Sequence, residues 1–342
     1  MAQQETAPRP GDLPPPLVIR QMLTGYWTAQ AVYVAAKLGI ADLVKDGPKN
    51  AAELARATGV HARSLYRLLR ALASVGVFAE DAGGRFRLTP PAACLVSDAP
   101  GSQRAAALMM GEEHFRCWTD LLYSIETGQT AFEHVYGEPV FNYLASNPHA
   151  AKTFDEAMTS IHGAETDAML AVYDFSPVGT LVDVGGGNGT LLAAVLQKYP
   201  SLRGILFDRP DVIERAQLRA AGLDGRCQAV AGNFFEAVPP GGDAYLLRHI
   251  LHDWDDGQCQ AILRNSRKVM PQAGRLLVVE SVIPPGNEPF FGKLLDLNML
   301  VIPGGMERTE SGYRDLFATA GFALSRVVPT DREVSVIEGK PV

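Results

Sequence analysis

The sequence predicts an α/β protein, in which a mostly parallel seven-stranded sheet covered by helices on both faces follows a largely helical N-terminal part. Three observations carry this reading. From Leu181 onward, short apolar runs alternate with helical segments, the pattern of parallel strands buried on both faces. The first of these runs leads directly into a glycine-rich turn, Gly185-Gly186-Gly187-Asn188-Gly189. Between residues 104 and 175 the apolar positions step by three and four, as helices do.

Composition bounds the rest. With 342 residues, 47% of them hydrophobic and 20% charged, the chain has the make-up of an ordinary folded protein, and its length favours two domains. A net charge of −7 and a pI near 5.6 leave no whole-chain positive field for nucleic acid or an anionic membrane. The uncharged stretch 21–36 is too short and too polar to span a bilayer, and the first twenty residues lack a secretory signal. Cytoplasmic localisation, with no membrane or nucleic-acid partner, is the expectation. Cys94, Cys117, Cys227 and Cys259 match neither a zinc site nor a small disulfide scaffold, and read as buried free thiols.

Along the chain, residues 1–16 carry a proline run and read as a loose arm. Leu17–Leu38 is a helix by the spacing of Leu23, Trp27, Ala31, Val34 and Leu38. Asn50 with Glu53 is a capping-box start for a helix to Thr58, closed by Gly59. His61–Val75 places Leu65, Leu68, Leu69, Leu72 and Val75 on one face, and Val77–Glu80 with Arg85–Leu88 flank a turn at 81–84. Two helices and a hairpin make 17–103 look like a winged helix. Arg63, Arg67 and Arg70 invite a DNA-binding reading, but arginines opposite a leucine stripe are ordinary amphipathicity in an acidic chain. Residues 104–175 form a helical linker whose apolar side chains, Trp118, Phe154 and Met158 among them, read as core or as the wall of a substrate site.

The catalytic part spans 176–342. Glycines at 185, 187 and 189 let the main chain turn sharply and approach a ligand closely. Leu192 stands where a dinucleotide fingerprint needs a third small residue, so the loop departs from the pattern of a pyrophosphate cradle. Asp208 ends the second strand, where a carboxylate can accept ribose hydroxyls. Asn233 and Phe234 end the third, where an amide and an aromatic could read and stack an adenine. Together these suit S-adenosylmethionine, an adenosine without phosphates.

On these residues the chain resembles the class I S-adenosylmethionine-dependent small-molecule O-methyltransferases, a group that includes caffeic acid O-methyltransferases and bacterial natural-product enzymes. The motifs are V-D-V-G-G-G-N-G at 182–189, F-D-R-P at 207–210, H-D-W-D-D at 252–256 and G-G-M-E-R-T at 304–309. The resemblance implies a Rossmann-like catalytic domain, an N-terminal all-helical winged-helix dimerisation domain and a homodimer. It implies His252 as general base with Glu280 and Glu307 as carboxylates flanking it, and Gly185, Asp208, Asn233, Phe234 and Arg248 as cofactor contacts. Asp253, Phe154, Met158, Trp118 and Met299 are candidates for touching a hydroxylated aromatic or polyketide-like acceptor. The family usually carries Asp at Asn233 and often Lys at Arg248.

The chemistry agrees. A phenol of pKa about 10 facing an ordinary His of about 6.5 leaves proton transfer uphill by about 5 kcal/mol, and carboxylates beside the imidazole would narrow that gap. His249, His252 and Asp253 could be imagined around zinc, but no further His or Cys stands at a familiar spacing, and no metal is expected. Two other readings are a winged-helix regulator sensing S-adenosylmethionine and a relative diverged to decarboxylation or hydroxylation. The His252, Glu280 and Glu307 set argues against both.

Overall fold

The computed structural model describes residues 13–216, 223 and 225–342; most of the proposed arm, 1–12, lies outside them. The chain divides into two compact units at Glu113/His114.

The N-terminal unit opens with α1 (Pro15–Lys37), which begins two residues before the expected Leu17 because proline is accommodated in a helix's first turn. Leu23 and Trp27, from the expected apolar stripe, are exposed, while Ala35 and Ala36 are buried. The Asn50 capping box is formed and starts α2 (Ala51–Thr58), which Gly59 closes in the left-handed region. On α3 (Ala62–Ser74), Leu65, Leu69 and Leu72 are buried, whereas Val75, just past its end, is exposed. The unit is mainly but not wholly helical: β1 (Lys49–Asn50), β2 (Phe78–Glu80) and β3 (Arg85–Leu88) form an antiparallel sheet in the order β1-β3-β2. The hairpin turn between β2 and β3 is held by Asp81, whose Oδ1 accepts the N–H groups of Gly83 and Arg85. None of the four cysteines forms a disulfide; Cys117 and Cys259 are buried and Cys227 half-buried, but burial fails for Cys94, which is exposed with its thiol turned to the Pro90 carbonyl.

In the C-terminal unit, helices precede the sheet, the longest being α4 (Pro148–Val172). The seven strands are β4 (Thr180–Val184), β5 (Arg203–Asp208), β6 (Cys227–Ala231), β7 (Ala244–Arg248), β8 (Arg275–Glu280), β9 (Phe322–Pro329) and β10 (Ser335–Pro341). Their order is β6-β5-β4-β7-β8-β10-β9, parallel from β6 to β8, with β10 antiparallel to both β8 and β9. Alternation along each strand loads both faces. Leu181, Leu246, Leu277 and Val279 enter one core with Met169 and Leu170 of α4. Val182, Tyr245, Leu247 and Val278 enter the other, with Tyr313 and Phe317.

The chain leaves β4 toward β5 and β6 on one side, then returns to β7 and β8 on the other. The ends of β4 and β7 therefore border the crevice where the winding reverses, the place an open parallel sheet offers a ligand. Among the described residues, no helix is long and apolar enough to cross a membrane.

Candidate active site

Gly185, Gly187 and Gly189 all take positive φ, so the loop after β4 needs glycine at each. A Cβ on Gly185 would strike Ile250 at 2.4 Å and sit 3.6 Å from the Phe234 ring. Phe234 thus stands beside the loop, edge-on to Trp254. Over Gly187 an added Cβ would meet nothing within 4 Å. Asp208, at the end of β5, accepts the Gly187 N–H at 2.8 Å and the Arg209 N–H at 2.7 Å, and burial raises its carboxyl above the ordinary value. An open glycine loop bordered by a carboxylate fits an adenosine carrying no phosphate.

Two expected cofactor contacts are otherwise engaged. Asn233 is exposed, its Oδ1 accepting the Phe235 N–H at 3.0 Å and its Nδ2 donating to Glu236 at 3.1 Å, so its amide is spent within its own turn. Arg248 falls by strand alternation on the α4 side of the sheet and donates through Nη1 to Thr166 Oγ1 at 2.7 Å and to the His162 carbonyl. Asp183 shares that face, and burial pushes its carboxyl up to about 7.

Beyond β7, a short 3₁₀ turn (Leu251–Asp253) delivers His252, which is buried. Its Nδ1 lies 2.7 Å from Glu307 Oε1, and its Nε2 lies 3.6 Å from Asp253 Oδ1. Glu307 can reach it because the loop carrying it packs on bare main chain: a Cβ on Gly305 would lie 2.0 Å from the His252 carbonyl oxygen. The Glu307 N–H donates to Asp296 at 2.8 Å on α5 (Gly292–Val301). The neighbouring Arg308 guanidinium bonds Asp256 and the carbonyls of Leu251 and Trp254, closing the other side of the turn.

Glu280 hydrogen-bonds the main chain of the turn rather than the imidazole itself. Its Oε1 accepts the main-chain N–H groups of Ile250, Leu251 and His252 at 3.0, 2.6 and 3.2 Å, and its Oε2 accepts the Tyr313 hydroxyl at 2.6 Å. The physical reason is the turn itself, which aims successive amides at the end of β8, where a buried carboxylate satisfies donors that would otherwise be orphaned. The carboxylate nearest the second ring nitrogen is Asp253.

Burial works against an imidazolium at His252, but the charges of Asp253, Glu307 and Glu280 and the Glu307 hydrogen bond outweigh it and raise the ring to about 10. Burial pushes Asp253 up to about 7, against the pull of His252. Burial likewise raises Glu307, whose Oε2 has no protein partner.

Of the expected substrate residues, Trp118 donates through Nε1 to Asn298 Oδ1 at 2.9 Å, which ties it to the helix bearing buried Met299. Phe154 and Met158 lie half-buried on α4, two turns and one turn before His162.

Comparison with known proteins decides the class. An O-methyltransferase domain matches residues 118–323, and an O-methyltransferase dimerisation domain matches 20–98. The chain belongs to the O-methyltransferase family. It is similar to a phenazine O-methyltransferase of Lysobacter antibioticus, 50% identical over 98% of each chain. It is also similar to a phenazine-1-carboxylate N-methyltransferase of Pseudomonas aeruginosa, 34% identical over 93% of this chain and 95% of that one. An O-methyltransferase from neocarzinostatin biosynthesis, solved with S-adenosylmethionine and 2-hydroxy-5-methyl naphthoic acid, matches with a TM-score of 0.83. It is 37% identical, over 92% of this chain and 96% of that one. The methyltransferase described here uses S-adenosylmethionine. Its dimerisation domain supports a homodimer, in keeping with the exposed Leu23 and Trp27 of α1.

Sequence reasoning missed Asp253 as the ring's second carboxylate, Tyr313 and Arg308 as supports of the turn, and a cluster of His162, Glu165 and His249 beside it. The spacing of His162 and Glu165, three apart on one helix face, was a signal for the last.

Proposed function

We propose that this methyltransferase methylates a hydroxyl of an aromatic or polyketide-like small molecule, with His252 as general base. The observation that carries the reading is the buried imidazole fixed through Nδ1 by Glu307 at 2.7 Å. A proton on Nδ1 donated to Glu307 leaves Nε2 as the acceptor, the role split of a base oriented by a carboxylate.

When bound, S-adenosylmethionine supplies an electrophilic methyl group. The glycine loop and Asp208 would hold its adenosine, with Phe234 beside it. His252 takes the hydroxyl proton at Nε2 as the oxygen becomes nucleophilic. Because the carboxylates raise the ring toward a phenol's own pKa of about 10, the uphill step of about 5 kcal/mol facing an ordinary histidine nearly vanishes. Glu307 orients the ring, and Glu280 holds the main chain that carries it. Such a base is worth about 10²–10⁴ in rate, and alignment of oxygen and methyl contributes the remainder.

The relatives include enzymes named for O- and for N-methylation of phenazines; a proton-bearing hydroxyl needs this base, whereas an unprotonated ring nitrogen does not. Assays with labelled cofactor against hydroxyphenazines, hydroxynaphthoates and simple phenols test the acceptor. His252→Ala should retain cofactor binding and lose two or more orders of magnitude in O-methylation. Unchanged turnover would remove His252 as the base.

A further inference from the structure

One largely half-buried polar cluster beside His252 has no part in methyl transfer as described above. On α4, Thr159, His162, Glu165 and Thr166 follow helical spacing and touch, in turn, the glycine loop and the end of β7. Thr159 Oγ1 accepts from Asn188 Nδ2 at 2.7 Å. Glu165 Oε2 accepts from His162 Nδ1 and from His249 Nε2, both at 2.8 Å. Thr166 receives Arg248. Burial opposes a charge on Glu165, but the two imidazole hydrogen bonds outweigh it and hold its carboxyl well below the usual range.

His249 is the one non-glycine among the described residues with positive φ, at +53°. For an imidazole-bearing residue this is a sparsely populated backbone state that persists only where its surroundings over-determine it. Those surroundings are explicit. The His249 N–H donates to the Val279 carbonyl at 3.1 Å, its ring is held by Glu165, and the next three amides converge on Glu280. The bend at His249 is what turns β7 into the turn carrying the base, and the two rings lie 5.0 Å apart.

We infer that Glu165 is a positioning residue for methyl transfer: by holding the His249 ring it fixes the left-handed bend that aims the His252 imidazole. This rests on the reading of His252 as base. A metal ion is a poorer use of the same three side chains. The His162 and His249 rings stack at 3.9 Å with 29° between their planes. Each ring nitrogen lies 2.8 Å from the same carboxylate oxygen, a hydrogen-bond length, whereas two ligands about 2.0–2.1 Å from a tetrahedral ion lie about 3.3 Å apart. One carboxylate oxygen shared by two N–H donors meets the geometry as it stands. Releasing the tether lets the bend relax, and a displacement of about 1 Å at a reacting group can cost about 10²-fold in rate.

The test uses the full-length protein with a hydroxylated aromatic acceptor that the wild type turns over, comparing Glu165→Ala, Glu165→Gln, His252→Ala and the Glu165→Ala/His252→Ala double variant. Glu165→Ala should lower kcat about 10- to 100-fold while acceptor KM and cofactor Kd stay within about threefold. Glu165→Gln, which keeps a carbonyl oxygen for both N–H donors, should return kcat to within about fivefold of wild type. In the His252→Ala background, Glu165→Ala should add less than about threefold, because its effect passes through the ring already removed. The proposal is overturned by a Glu165→Ala kcat within twofold of wild type, by a loss confined to cofactor affinity, by equal losses in both backgrounds, or by Gln as damaging as Ala. If Glu165→Ala fails to fold, His249→Ala keeps a side chain strained at the same φ, removes the tether and reads the same loss. Where His252→Ala turnover falls below detection, the single variants decide. Full turnover by His252→Ala sinks the base assignment itself, a result separate from any outcome at Glu165.

Discussion

Glu307 Oε1 stands 2.7 Å from His252 Nδ1, and that contact exists because Gly305, two residues before the carboxylate, lets the loop rest on the main chain of the histidine. The pair defines which ring nitrogen is free to accept a proton. Glu307→Gln keeps an oxygen near Nδ1 but offers an amide that can flip, so tautomer control weakens along with the charge that favours the imidazolium. A fall in kcat of about 10²-fold is expected, with cofactor affinity nearly unchanged. Steady-state kinetics beside calorimetric titration of the cofactor checks both; retention of full kcat would show that the ring needs no such partner.

The pH dependence follows from the raised pKa of His252. Its folded value, about 10, lies above the ordinary histidine value of 6.5. The protonated ring therefore stabilises the fold fully below about 6.5, and that stabilisation is lost as the pH rises through about 10. Catalysis needs the opposite form. Because kcat/KM reports the free enzyme's base, it should climb about tenfold per pH unit from 7 toward 10, with an acceptor whose hydroxyl titrates higher still. A plateau already reached at pH 7 would mean that the carboxylates do not hold the proton as the geometry implies.

Glu280 accepts four hydrogen bonds while fully buried. Glu280→Ala orphans three amides and leaves the Tyr313 hydroxyl only the Ser281 carbonyl at 3.4 Å, at a cost of about 3–5 kcal/mol. The melting temperature should drop by about 10 °C, and kcat should fall because the turn carrying His252 loosens. Glu280→Gln retains one carbonyl oxygen and should sit between. Calorimetric melting of the two variants distinguishes this from a role at the ring itself, which would lower kcat with little change in melting.

The central strands were legible because each is a short apolar run bounded by turns, as in β8, where 276–279 are all Leu or Val. The same alternation places Glu280 on the face that carries Tyr313, but whether its carboxylate meets a ring or a main chain depends on the direction of a three-residue turn, which no periodicity encodes. Glu165 was harder still. Its partner His249 is 84 positions away in sequence, and the bend that brings them together needs a left-handed histidine, a state that sequence patterns favour for glycine. At Asn233 the local alternative won: the side chain completes its own turn, as Asn commonly does after a strand.

That last arrangement sets an expectation for the cofactor. If Asn233 read the adenine amino group, Asn233→Asp would tighten binding through a charge-assisted hydrogen bond. In the structure its Nδ2 donates to the Glu236 carboxylate at 3.1 Å, so the substitution replaces a hydrogen bond with two carboxylates facing each other, while the acceptor for the Phe235 N–H is kept. Cofactor Kd should then change by no more than about threefold, and any change should be toward weaker binding, most visible at low ionic strength where the new repulsion is least screened. Fluorescence or calorimetric titration at two salt concentrations measures this. A tenfold gain in affinity would mean that the side chain leaves its turn to meet the adenine, and that the pairing with Glu236 gives way when the nucleoside arrives.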